Sequence, residues 1–218
     1  MIAVAPEPVR LRPPPVVRKL GLVDYEEALN AMRRFSASRG DSTPDELWLL
    51  EHPPVYTLGQ GADPSHGPKE PGGIPVLRVE RGGEITYHGP GQLVAYTLVD
   101  LARRGIKVRE FVRLLEQSII DLLGAYGVAA ERKAGAPGVY VDGAKVAALG
   151  VRVSHGRTFH GLALNVDMDL APFGRIDPCG YPGLAVTQTR DLGIEACVDD
   201  LGPELARRLL CHLGKDSA

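Results

Sequence analysis

Three cysteines, Cys179, Cys197 and Cys211, are the residues of this sequence best suited to covalent chemistry. Only Cys179 stands where a nucleophile would be presented. It lies in Asp-Pro-Cys-Gly-Tyr-Pro-Gly (177–183), where proline and glycine bend the backbone on both sides and no regular element can bury the sulfur. Shaped loops hold nucleophiles in this way. Cys197, in GIEACVDD, reads as a packing residue in or at the end of a short strand. Cys211 reads as a spectator, off the arc of Leu205, Leu209 and Leu213 in the last helix. A free thiol has a pKa near 8.5, so only roughly 3% is thiolate at pH 7. A nucleophilic cysteine therefore needs a nearby cation or base. Lys145, two residues after an Asp142-Gly143 turn, is one candidate. His88 and His160, each beside a glycine, are the others, and spacing does not choose among the three.

Other chemistries find no support. His52, His66, His88, His155, His160 and His212 are scattered, without HExxH or CxxC, so no metal site is expected. The stretch GVYVDGAK (138–145) fails as a phosphate loop, because Ala144 stands where lysine should and no helix follows. HGPGQL leads into a strand, unlike a dinucleotide fingerprint. No cofactor is expected. The glycines of RGGEITYHGPG (81–91) and of KVAALG (145–150) allow close approach of backbone to a ligand. Strands rich in Val, Ala and Leu between them could line a narrow apolar slot. An acyl chain suits such a slot, at roughly 0.8 kcal/mol per buried methylene.

The elements that must position these groups follow from periodicity. Asp24 and Glu27 resemble a capping box for a first helix, with Tyr25, Ala28, Leu29, Met32 and Phe35 on one face. Gly40 and the polar run to Asp45 end it. Strands are expected at Glu46–Glu51, Val55–Leu58, Val76–Glu80 and Gln92–Val99, with a loop over Gln60–Pro75. Residues 109–124 make the clearest helix, striped by Phe111, Leu115, Ile119 and Leu122. Gly138–Val153 reads as a hairpin, and His155-Gly156 turns the chain into a strand over Thr158–Val166. Residues 168–184 read as loop and Pro203–Leu213 as a final short helix. Strands joined as hairpins, with few helices, predict an α+β domain on a mixed sheet.

Composition sets the outer bounds. A chain of 218 residues suits one sizeable domain, here 16–218, behind a Pro-rich arm over 1–15. The net charge of −2 argues against a nucleic-acid binder held by bulk charge. No run approaches 18 apolar residues, so no membrane span is expected. Three cysteines make no disulfide framework, which favours a reduced, cytoplasmic setting.

RGGEITYHGPGQLVAY (81–96), APGVYVDGAKVAALGVRV (136–153), FHGLALNVDMDL (159–170) and DPCGYPG (177–183) closely resemble the signature blocks of the lipoyl(octanoyl) transferase family. LEHPPVYTLGQ (50–60) and LGLVDYEEA (20–28) match as well, so the likeness covers roughly residues 16–213. The resemblance implies the fold of biotin and lipoate protein ligases. It implies an acyltransferase that moves an octanoyl or lipoyl group from acyl carrier protein to a lysine. The acceptors would be lipoyl domains of 2-oxoacid dehydrogenase E2 subunits and the glycine-cleavage H protein. It implies an acyl-thioester on Cys179 whose pKa Lys145 lowers. It assigns acyl contacts to Arg81, Gly82, Gly83, Glu84, Ile85, Thr86, Tyr87 and His88, to Ala148, Leu149 and Gly150, and to Gly161, Leu162 and Ala163. An acidic carrier could dock on Arg78, Arg81, Arg132, Arg152 and Arg157, which flank these segments. An ATP-using lipoate ligase and a non-catalytic acyl binder are the rival readings.

Overall fold

In the computed structural model, residues 14–68, 70–177 and 183–214 are described. Seven strands make the main sheet: β1 (Val16–Leu22), β2 (Glu46–Glu51), β6 (Gln92–Leu98), β7 (Glu131–Lys133), β8 (Ala136–Val141), β9 (Ala144–Ser154) and β10 (Arg157–Asn165). Their spatial order is β1-β2-β6-β10-β9-β8-β7, parallel only between β1 and β2. A small sheet of β3 (Val55–Leu58), β4 (Val76–Arg78) and β5 (Ile85–His88) has the order β4-β3-β5. The expected α+β fold on a mixed sheet is the observed one.

Each face of the large sheet is covered by helices whose stripes the sequence carries. On one face, α3 (Val108–Ala125) and α4 (Val198–Leu213) bury Phe111, Leu115, Ile119, Leu122, Leu201, Leu205 and Leu209 against Leu93, Val139 and Leu164. On the other, α1 (Tyr25–Ser38) buries Tyr25, Leu29 and Met32 against Trp48, Tyr96 and Phe159. Asp24 caps α1 as expected, accepting from the N–H groups of Glu26 at 2.9 Å and Glu27 at 3.2 Å. A short α2 (Leu101–Arg104) follows β6.

Asp45, fully buried at the head of β2, ties these parts together. Its carboxylate meets Arg39 at 2.6 Å, Arg103 at 2.7 Å and Arg104 at 2.6 Å, and accepts the Asp100 N–H at 2.8 Å. Burial alone would raise its pKa. The Asp100 N–H and the guanidinium groups outweigh that and hold it below the usual carboxylate value.

Several expectations need correction. The last helix starts at Val198, five residues before the expected Pro203. Leu201 extends its apolar stripe upstream, and burying that residue outweighs the hydrogen bond Pro203 cannot donate. Cys197 is the exposed residue preceding this helix, and no strand runs there. Ile85–His88, in the glycine-rich stretch where no strand was expected, forms β5, because pairing with β3 overrides the local composition. The Pro-rich arm lies outside the described residues up to position 13, and β1 begins at Val16. Among the described residues no helix is long and apolar enough to cross a membrane.

Candidate active site

Lys145 opens β9 directly after the turn that the sequence marked. Asp142 and Gly143 both take positive φ, 48° and 84°, as a tight hairpin demands. The register pairs Lys145 with Tyr140 of β8. The side chain folds back under the hairpin, with only 3% of the residue exposed. Its Nζ donates to the Pro137 carbonyl at 3.2 Å and lies 5.2 Å from the centre of the Tyr140 ring. Room for this comes from Gly138. A Cβ there would come within 2.9 Å of the lysine Cε and 3.2 Å of Nζ, at a φ of +147° that favours glycine.

Glu116 braces the same corner from α3. Its buried carboxylate accepts the Gly138 N–H at 3.2 Å and pairs with Arg132 at 3.0 Å. Glu116 sits four positions after Val112, which lines the cavity described below. That i, i+4 spacing was the available signal for it, beside a stripe otherwise apolar.

Cys179 lies outside the described residues, which omit 178–182. The chain on either side is anchored. Before it, the Asp177 N–H donates to the His66 carbonyl at 3.3 Å. After it, the Lys145 N–H donates to the Ala185 carbonyl at 2.8 Å, and the Thr187 N–H donates to the Lys145 carbonyl at 3.0 Å. The stretch Ala185–Thr187 is thus laid parallel to the start of β9, bridging at Val186. Ala185, whose carbonyl Lys145 holds, follows Cys179 by six positions in the chain.

A cavity of about 360 Å³ opens over β6, β10 and β9 and reaches Pro137 of β8. It falls in the usual range for small-molecule sites, roughly 300–1,000 Å³. Arg81, Gly82, Gly83, Glu84, Ile85, Thr86 and His88 line it from one strand-and-turn, and Ala148, Leu149, Gly150, Gly161, Leu162 and Ala163 line it from β9 and β10. The register sets Gly161 opposite Gly150, Leu162 opposite Leu149 and Ala163 opposite Ala148, so three separated sequence blocks become one wall. Of the expected set only Tyr87 stands off the wall. It packs instead with Tyr56 and Phe173. Gly161 is needed for closeness, since a Cβ there would lie 2.1 Å from the Ala95 carbonyl oxygen.

Tyr25, Tyr96 and Pro137, not anticipated from sequence, also line the cavity, as does His160. Neither candidate histidine activator touches Lys145 among the described contacts. His160 pairs opposite Val151, six positions along β9 from Lys145, or roughly 20 Å of strand. Burial pushes the His160 pKa down to about 3, with Arg81 adding to the effect. His88, also depressed by burial and by His52, uses Nδ1 on the Gln92 side chain at 2.7 Å. Both rings are neutral at neutral pH, which suits lining an apolar slot more than supplying charge to a thiol.

Of the five arginines expected to dock a carrier, Arg81 is not available at the surface. Arg81 is buried and donates to the Thr57 carbonyl and hydroxyl at 2.6 and 2.8 Å. Arg157 is held by Asp100 and the Arg39 carbonyl, and Arg132 by Glu116 and Gln117.

The site can be compared with known proteins. A family described as the lipoyl protein ligase A/B catalytic domain matches residues 24–209. An octanoyltransferase of Aromatoleum aromaticum is 61% identical over 205 residues, covering 94% of this chain and 88% of that protein. A bi-partite lipoate protein ligase from Thermoplasma acidophilum superposes with a TM-score of 0.72 at 15% identity, over 92% of this chain and 84% of that one. Biotin protein ligase from Aquifex aeolicus gives 0.54 at 12% identity, over 93% and 69%. At such low identity the two ligases show the shared fold.

Proposed function

The chain belongs to the octanoyltransferase group of the lipoyl protein ligase A/B catalytic-domain family, and from that premise we propose a two-step acyl transfer through Cys179. The Cys179 thiolate attacks the thioester carbonyl of an octanoyl group carried by acyl carrier protein. The carrier's thiol leaves with a proton taken from Lys145, and an octanoyl thioester remains on Cys179. A lysine of a lipoyl domain, in its neutral amine form, then attacks that carbonyl. An amide forms, the cysteine sulfur departs as thiolate, and Lys145 takes up the proton the amine loses. Lipoyl domains of 2-oxoacid dehydrogenase E2 subunits and the glycine-cleavage H protein are the acceptors this reading names. The cytoplasm, where both partners would be reduced and soluble, is its setting.

The observation that carries the reading is the position of the Lys145 ammonium. It is buried beside an apolar cavity, on the residue whose own backbone grips the chain leading back to Cys179. A cation fixed at that point lowers the pKa of a thiol brought to it. Exchange of one thioester for another is close to isoenergetic, and amide formation from a thioester runs downhill. Neither step calls for ATP. The cavity supplies burial for the chain, at roughly 0.8 kcal/mol per methylene.

Incubating the protein with octanoyl-loaded carrier and an unmodified lipoyl domain, with ATP and Mg²⁺ removed, tests this. Octanoylated lipoyl domain is the expected product. Product only on adding free octanoate and ATP would make the chain a ligase instead. Tight acyl binding with no transfer under either condition would make it a binder.

A further inference from the structure

A chain of buried amides runs from the cavity to the backbone of Lys145. His88, on the cavity wall, donates from Nδ1 to the Gln92 Oε1 at 2.7 Å. Gln92 Nε2 donates to the Asn165 Oδ1 at 2.9 Å, and Asn165 Nδ2 donates to the Thr187 carbonyl at 2.9 Å. The Thr187 N–H in turn donates to the Lys145 carbonyl at 3.0 Å. Gln92 and Asn165 are 1% and 4% exposed, so neither amide has water to fall back on.

The Asn165 link has a specific geometric effect. Ala185–Thr187 is not part of either sheet's named strands; it is held at the start of β9 by two backbone hydrogen bonds to Lys145. Asn165 is the last residue of β10, and its own carbonyl accepts the Thr189 N–H at 3.0 Å. Its side chain therefore holds Thr187 and its backbone holds Thr189, clamping the segment at two points between β10 and β9. Cys179 precedes this clamp by eight residues in the chain.

Resting on the acyl-transfer reading above, we infer that Asn165, backed by Gln92, is a positioning residue for the reaction. It fixes the segment that follows Cys179 against Lys145, and with it the separation over which the ammonium acts on the thiol. Breaking the link takes the partner from the half-buried Thr187 carbonyl and leaves the Gln92 Nε2 only its longer contact with the Tyr87 carbonyl at 3.3 Å, and the segment relaxes away from the hairpin to recover a partner. Asn165 itself does not line the cavity, whose walls are built from β6, β9, β10 and the 81–88 turn.

The test pairs two neutral, similarly sized variants, Asn165→Leu and Gln92→Met, with the wild-type protein. The readout is the rate of Cys179 alkylation by iodoacetamide against pH, followed on the tryptic peptide Ile176–Arg190, which separates it from Cys197 and Cys211. The wild type should show a midpoint below the ordinary thiol value of about 8.5. Both variants should move it up by about one pH unit. Their kcat for octanoyl transfer should fall about tenfold or more, while octanoate affinity by calorimetry stays within about threefold. A purely structural role would lower thermal stability but leave the thiol's midpoint alone. If both variants keep the wild-type midpoint and their kcat stays within about twofold, Asn165 is not a positioning residue, whatever the fate of the transfer reading. If the wild-type thiol itself titrates at its ordinary value, the cysteine–lysine pairing fails first, and this inference falls with it.

Discussion

Lys145 is held as much by what is missing around it as by what touches it. Gly138 leaves the space its stem occupies, and Pro137 supplies the carbonyl that receives its Nζ. Replacing Lys145 by Arg keeps the charge but puts a wider, flatter group into that space. Activity should drop by about a hundredfold or more in a steady-state transfer assay; near-normal turnover would show that only charge matters. Gly138→Ala asks the same question from the wall. Its methyl would press on Cε at 2.9 Å and Nζ at 3.2 Å, and on the Ala147 carbonyl oxygen of β9 at 2.9 Å. We expect kcat to fall about tenfold with KM for the octanoyl carrier nearly unchanged. An equal loss spread over KM would mean the hairpin has collapsed instead. Sequence spacing alone left His88 and His160 open as rivals to Lys145. The β9–β10 register adds that His160 stands opposite Val151, six positions along the strand from Lys145.

Elements whose pattern is local were legible in the sequence, and those fixed by distant partners were not. The α3 stripe and the Asp142-Gly143 hairpin carry their own instructions, so their places are as read. β1 is exposed along its whole length and shows no alternation; it exists because β2 pairs with it. β5 follows two glycines, and only β3 makes it a strand. The glycine blocks were readable as ligand-approach segments, but the wall they share appears only when Gly161, Leu162 and Ala163 meet Gly150, Leu149 and Ala148 across one ladder. The Asp45 cluster was not legible at all, because its three arginines come from two distant places, Arg39 just after α1 and Arg103 and Arg104 in the last turn of α2. Asp45→Asn removes the charge that all three share and strands the buried Arg39. Urea unfolding should register a loss of about 3–5 kcal/mol. A loss below about 1 kcal/mol would mean that water or another carboxylate takes over.

For the molecule as a whole, pH dependence follows from its buried imidazoles. Burial lowers His52 to about 4 and His160 to about 3, and His88 also lies well below 6.5. These rings are neutral in the fold yet take up protons in the unfolded chain below about 6.5. Their contribution to stability is therefore complete above pH 6.5 and shrinks as pH falls towards 4, by about 1.4 kcal/mol per unit for each. Asp45 acts lower in the same direction, its contribution failing only as pH drops below about 4. Unfolding free energies at pH 7.0 and 5.5 should differ by about 2–4 kcal/mol; equal values would mean that the histidines reach solvent.

The transfer mechanism stands on a covalent intermediate, and mass spectrometry reads that directly. The protein is mixed with octanoyl-loaded acyl carrier protein without ATP, quenched in acid and digested with trypsin. The account predicts that Ile176–Arg190, the peptide holding Cys179, gains one octanoyl group that neutral hydroxylamine removes, and that Lys145→Arg loses most of this adduct. An unmodified Cys179 peptide under conditions where the lipoyl domain becomes octanoylated would contradict it.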